Sequence, residues 1–165
     1  MSKPAHALRP FMAADTMALR DLFAQSIEEL TAGEYDDDQR LAWAASAADA
    51  DEFREFLAGM LTLVVRIEGE YAGFGSLKDN NHLEMLFVHP YYAGQGVGTT
   101  IADALERLAA ARGAKAMTVA ASDTAQPFFK ARGYVVTQRN TLMVDDQWLA
   151  NTTMTKKLGV TGGLS

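Results

Sequence analysis

The sequence predicts a single α+β domain with a mostly antiparallel sheet and helices packed around it, and three observations carry that expectation. Apolar stripes at helical spacing fill the first 60 residues. Residues 61–90 then hold three short β-rich runs joined by tight turns. From residue 94 a knot of glycines opens a helix, followed by strand, short helix and hairpin.

In order, a strand-like piece at residues 6–8 leads to Asp15, expected as the N-cap of the helix TMALRDLFAQSIEEL. Leu19, Leu22, Phe23, Ser26 and Leu30 fall on one face of it at helical spacing. An acidic joint, GEYDDD, starts a second helical stretch through Trp43, and a third carries Phe53, Phe56 and Leu57 before Gly59 ends it. The runs LTLVVRIEG, EYAGFGSLK and HLEMLFVHP, divided by Glu-Gly-Glu and Asp-Asn-Asn, predict an antiparallel meander closed by Pro90. A helix over 99–112, a strand over 116–121, a short helix over 125–131 stopped by Gly133, and a final hairpin complete the domain, placed at residues 1–158. Residues 159–165 are expected to form a flexible tail.

The chain has 165 residues, enough for one self-sufficient core. The absence of cysteine excludes disulfides, thiolate metal sites and a cysteine acyl-enzyme. His6, His82 and His89 lack ligand spacing, so no metal is expected. A formal charge of −6 argues against nucleic acid, whose affinity depends on Lys and Arg displacing counterions. Neither a leader nor a run of about eighteen apolar residues appears, so a cytoplasmic protein without membrane contact is expected. The oligomeric state is left open, a homodimer included.

The stretch VHPYYAGQGVGTTIADALE is the most informative. Gly94, Gly96 and Gly98 permit positive φ and close approach, and leave main-chain N–H groups pointing inward. The other helix starts carry acids; the Gly98-Thr99-Thr100 start has none, its first carboxylate being Asp103, expected to pair with Arg107. An anion such as a diphosphate fits that end. A P-loop would need a lysine after its last glycine, and GQGVG does not match the dinucleotide spacing GxGxxG.

The order V-x-P-x-x-x-G-x-G-x-G after a meander, with AQPFFKARGY further on, resembles the GNAT superfamily of N-acetyltransferases over nearly the whole chain. The resemblance implies a mixed central sheet flanked by helices and acetyl-CoA as co-substrate. Its diphosphate would lie on Gly94, Gln95, Gly96, Val97, Gly98 and Thr99. The pantetheine would pair with the backbone of Leu86, Phe87 and Val88, with Ser122 and Phe129 close by. Two positions depart from the pattern. Ala93 stands where Gln or Arg is usual, and Phe129 stands where a tyrosine often protonates the leaving thiolate. Tyr134, Tyr92 or a water are the alternatives for that acid.

Acetyl transfer needs a neutral amine, yet an alkylamine of pKa about 10.4 is only about one part in a thousand neutral near physiological pH, a shortfall of roughly 4 kcal/mol. Glu84, alternating with Leu86 and Val88 and expected on their face, is the candidate base; solvent exposure or pairing with a cation is its other reading. A strand N–H near Phe87 or Val88 would meet the oxyanion. With no cysteine, direct attack in a ternary complex is favoured. Tyr35, Gln39 and Trp43 recur at i, i+4 and i+8 and, beside Glu34 and three aspartates, would suit a small-molecule or peptide amine with some apolar bulk; a core role for Trp43 is the alternative. The rival functions are a catalytically weak or inactive acyl-CoA-binding module and a different nucleotide binder.

Overall fold

A computed structural model describes residues 5–159. The strand order is β1 (Ala7–Pro10), β2 (Leu61–Ile67), β3 (Glu70–Lys78), β4 (His82–Val88), β5 (Ala116–Ser122), β7 (Gln147–Lys157) and β6 (Val135–Val144). Every neighbouring pair is antiparallel except β4 with β5. The helices are α1 (Thr16–Leu30), α2 (Asp37–Ala44), α3 (Ala50–Ala58), α4 (Val97–Ala111) and α5 (Gln126–Ala131). The expected tail lies, from residue 160 onward, outside the described residues.

The two faces of the sheet bury separate cores. On one, Ile101 and Leu105 of α4 pack with Val65, Leu83, Met117 and Met154. On the other, Leu19, Leu22, Phe23 and Ile27 of α1 join Phe53 and Leu57 of α3 against Val64 and Phe74. Gly73 and Gly75 let α4 lie flat on β3: a Cβ would come 2.7 Å from Val97 Cγ1 at the first and 2.5 Å from Ile101 Cγ2 at the second.

Three local expectations are corrected. Asp15 does not cap α1, because a 3-10 turn over Ala13–Asp15 brings the chain into helical geometry early. Its carboxylate, 1% exposed, instead accepts from Arg9 twice at 2.8 Å, from the Met12 N–H at 2.8 Å and from the Tyr71 hydroxyl at 2.7 Å. Burial alone would raise its pKa; these donors outweigh it and hold the group down to about 2. Asp103 pairs with Arg132 at 2.8 Å and not with Arg107. Finally, α2 starts at Asp37, so Tyr35 precedes the helix and the i, i+4, i+8 face does not form.

Candidate active site

The site originates in a failure of two strands to stay together. β4 and β5 pair only at His82 with Thr118 and Leu83 with Val119, and then diverge. The wedge opens into a cleft of about 1110 Å³. One half is walled by the glycine loop, α4 and Phe128; the other by α1, Tyr35, α2, α3 and the β6–β7 hairpin.

A β-bulge aims the side chains of β4. The register runs Ser76 with Met85 but Leu77 with Leu83, so Glu84 is an extra residue opposite no partner. The phase of the strand shifts there. Leu83 joins the α4-side core although two-residue alternation would place it with Met85, which packs on the α1–α3 side. The expectation that Glu84 shares a face with Leu86 and Val88 is therefore corrected. His82 alternates with Leu83 and faces the α1–α3 side, and the Glu84 carboxylate lies 3.6 Å from His82 Nε2. His82 Nδ1 in turn lies 2.7 Å from the Thr118 hydroxyl. Glu84 is 30% exposed within the cleft, on the side of α1 and α3.

The backbone of β4 alternates between its neighbours. His89 N–H bonds to Ala72 O at 2.8 Å, so Phe87 and Met85 also direct their N–H and C=O groups to β3. Leu86 and Val88 direct theirs into the wedge, where β5 no longer pairs. Phe87 thus offers the cleft its ring and not its main chain.

At the far end, Gly94 and Gly96 sit at φ 77° and 84°, a region favouring glycine, and Gly96 caps α4. The first α4 turn closes with Thr100 N–H to Gly96 O at 3.0 Å. Among the described residues no protein acceptor takes the N–H of Gly94, Gly96, Val97, Gly98 or Thr99. Gly98 has no positive φ, and a Cβ there would meet the Phe128 ring at an ordinary 3.5 Å. The Gln95 side chain turns back to Tyr91 O at 3.2 Å. His6, missed in the sequence as a member of this region, places Nδ1 2.9 Å from the Thr100 hydroxyl.

The remaining candidates divide. Tyr134 is not brought to the cleft: it is 1% exposed, and its hydroxyl donates to Glu106 at 2.9 Å, where Arg132 and Lys156 also converge. Burial first, then the Glu106 charge, push its pKa far up. Phe129 stands in the cleft wall with Phe128, their rings 5.1 Å apart. Ser122 lines the cleft, its hydroxyl accepting from the Ala125 N–H at 3.1 Å. Tyr35 and Trp43 meet in the wall at a centroid distance of 5.4 Å. Gln39 is drawn off to complete the Asp36 capping box and to donate to Trp148 O at 2.9 Å. The Tyr35 hydroxyl accepts from Asp123 N–H and donates to Ala150 O. Tyr92 is the cleft tyrosine whose hydroxyl meets no protein partner among the described residues; loss of hydration and the charge of Glu70 raise its pKa. Among the described residues no group of three His, Cys, Asp or Glu side chains is placed to hold a metal, and no helix is long and apolar enough to cross a membrane.

A splayed parallel pair beside a glycine-capped helix makes a cleft with free amides at one end, and comparison with known proteins identifies the class of protein that carries it. The model of the acetyltransferase (GNAT) domain matches residues 31–158. An uncharacterised N-acetyltransferase of Escherichia coli K12, YafP, is 27% identical over 144 residues, spanning 87% of this chain and 91% of that one. The crystal structure of a GCN5-related N-acetyltransferase from Rhodopseudomonas palustris superimposes with a TM-score of 0.92 at 52% identity, covering 96% of this chain and 98% of that one. The PaiA N-acetyltransferase of Thermoplasma acidophilum, solved with coenzyme A, shares the fold at a TM-score of 0.78 and 16% identity, over 93% and 99% of the two chains. The chain belongs to the GNAT superfamily of N-acetyltransferases and is an acyltransferase enzyme.

Proposed function

We propose that the protein moves the acetyl group of acetyl-CoA to a primary amine by direct attack within a ternary complex. The observation that carries this is the continuity of the cleft: free amides from Gly94 to Thr99 at one end, the unpaired edge of Leu86 and Val88 in the middle, and Glu84 beyond the bulge. The Thermoplasma relative, which holds coenzyme A, supports the choice of carrier.

Each group has one task. The five amides and the α4 dipole hold the diphosphate, and the bare Gly98 leaves the first turn of the helix accessible to it. Leu86 and Val88 hold the pantetheine amides as an added strand would be held, while Ser122 and Phe129 flank it. When bound, acetyl-CoA supplies an activated carbonyl carbon: the amine nitrogen bonds to it and the carbon–sulfur bond breaks. Of the wedge-facing N–H groups of Leu86 and Val88, the one the pantetheine leaves free offsets the charge that gathers on the carbonyl oxygen. Glu84 takes the proton the amine must lose, directly or through a water. With Tyr134 turned to Glu106 and Phe129 lacking a hydroxyl, Tyr92 or a water is left to protonate the sulfur.

Acetyl-CoA is expected to raise the melting temperature more than ATP or NAD does, and acetyl-CoA with an amine to release free thiol. Stabilisation by ATP or NAD without stabilisation by acetyl-CoA would overturn the assignment. A non-catalytic acyl-CoA-binding module would show binding without thiol release.

A further inference from the structure

We propose that the acceptor half of the cleft is built for an arylalkylamine, a primary amine on a short chain that ends in an aromatic ring; this rests on the acetyl-transfer reading above. The wall of that half is a run of rings. Centroids stand 5.4 Å apart from Tyr35 to Trp43, 6.1 Å from Trp43 to Phe87, 4.7 Å from Phe87 to Phe23 and 5.9 Å from Phe23 to Phe53. Tyr35, Phe23 and Phe53 are themselves buried, so a guest ring would meet the partly exposed Trp43 and Phe87, in the edge-to-face packing those two already make. Phe56, on the same wall, is 41% exposed and unfinished as a core residue.

Charge selects further. The acidic side chains lining the cleft are Glu52 and Glu84, and no lysine or arginine lines it among the described residues. Two guanidinium groups beside the Tyr35 end of this wall are committed elsewhere: Arg139 to Asp123 at 2.5 and 3.0 Å, and Arg40 to Asp37 at 2.6 Å and to Tyr35 O. An ammonium is welcome there, whereas a carboxylate beside it, as in an amino acid, meets only like charge. Polyhydroxylated amines gain less, because four of the wall's hydroxyls already donate within the protein and only Ser26, of the α1 side, is without a protein partner among the described residues. Tyr35 donates to Ala150 O, Thr31 to Ile27 O, Ser46 to Trp43 O and Thr124 to Glu34. Glu84 and Phe87 both face this side, so a ring against Trp43 and Phe87 leaves its short chain to carry the amine toward the carboxylate.

The test compares thiol release from acetyl-CoA with 2-phenylethylamine, ethanolamine, phenylalanine, kanamycin and a short peptide with a free terminus. 2-Phenylethylamine is expected to exceed each of the others in kcat/KM by roughly tenfold or more. Phe56→Ala, at a partly exposed position, is expected to raise KM for 2-phenylethylamine by about tenfold and for ethanolamine by less than about twofold. Equal or better turnover of phenylalanine, kanamycin or the peptide overturns the proposal, as does a Phe56→Ala effect of equal size on both amines. Calorimetry with acetyl-CoA separates the two levels of failure. Binding with thiol release from the wrong amines sinks the acceptor class alone; binding without release from any amine sinks the transfer step with it; no binding sinks the coenzyme reading beneath both.

Discussion

Replacing Glu84 by Gln keeps the shape of the bulge and its neighbours while removing the only proton acceptor that β4 places in the acceptor half of the cleft, other than His82. Without a base the enzyme must wait for amine that is already neutral. For an alkylamine of pKa about 10.4 that fraction is about one in a thousand at pH 7.4 and about one in twenty-five at pH 9. The deficit in kcat/KM is therefore expected to be about a thousandfold at pH 7.4, near the middle of the range for general-base catalysis, and to shrink to roughly twenty-five-fold at pH 9. The assay is thiol release at saturating acetyl-CoA across pH 6.5–9.5, with calorimetry to show that coenzyme affinity is unchanged. Rates equal to the parent at pH 7.4, or a deficit that does not vary with pH, would refute the role of Glu84.

Three other substitutions probe separate parts of the account. Gly96→Val forces a β-branched residue to φ 84° beside amides meant for an anion, and strain of about 1–3 kcal/mol should weaken acetyl-CoA binding by roughly 5- to 150-fold in calorimetry; an unaltered Kd would place the diphosphate elsewhere. Tyr134→Phe removes one of three donors to Glu106, so it should cost about 1 kcal/mol of stability and leave the pH profile of kcat intact, while Tyr92→Phe should lower kcat with little change in melting temperature; the reverse pattern would return Tyr134 to the mechanism. Asp15 binds its proton only near pH 2 when folded but near 3.8 when unfolded, so the stability it lends is complete above about pH 5 and lost as the pH falls through about 2. That window is worth roughly 2 kcal/mol, and urea midpoints of Asp15→Asn should vary less with pH across it than those of the parent.

Where local chemistry decides the structure, the sequence was legible. Helix periodicity found α1, α3 and α4, turn residues divided the meander, and the glycines marked the start of α4 as an end with free amides; its missing acids did not single it out, because the first turns of α1 and α5 carry none either. The less legible features all depend on contacts distant in the chain. The Glu84 bulge is set by the register of β3 against β4, which no period-two rule contains. Arg132 takes Asp103 from Arg107 because the end of α5 brings its side chain to α4, and Tyr134, two residues on, is claimed by Glu106. Phe23, Phe53 and Phe56 announced themselves only as core spacing; their place in the acceptor wall follows from the divergence of β4 and β5. His82 lacks metal-ligand spacing, yet its position two residues before Glu84 is a visible signal.

Diffraction from a crystal soaked in acetyl-CoA tests the central claim most directly. The account predicts diphosphate density within hydrogen-bond distance of the main-chain nitrogens of residues 94–99, with the thioester between β4 and β5. Density for the carrier at any other surface, or none at concentrations that stabilise the protein in solution, would contradict it.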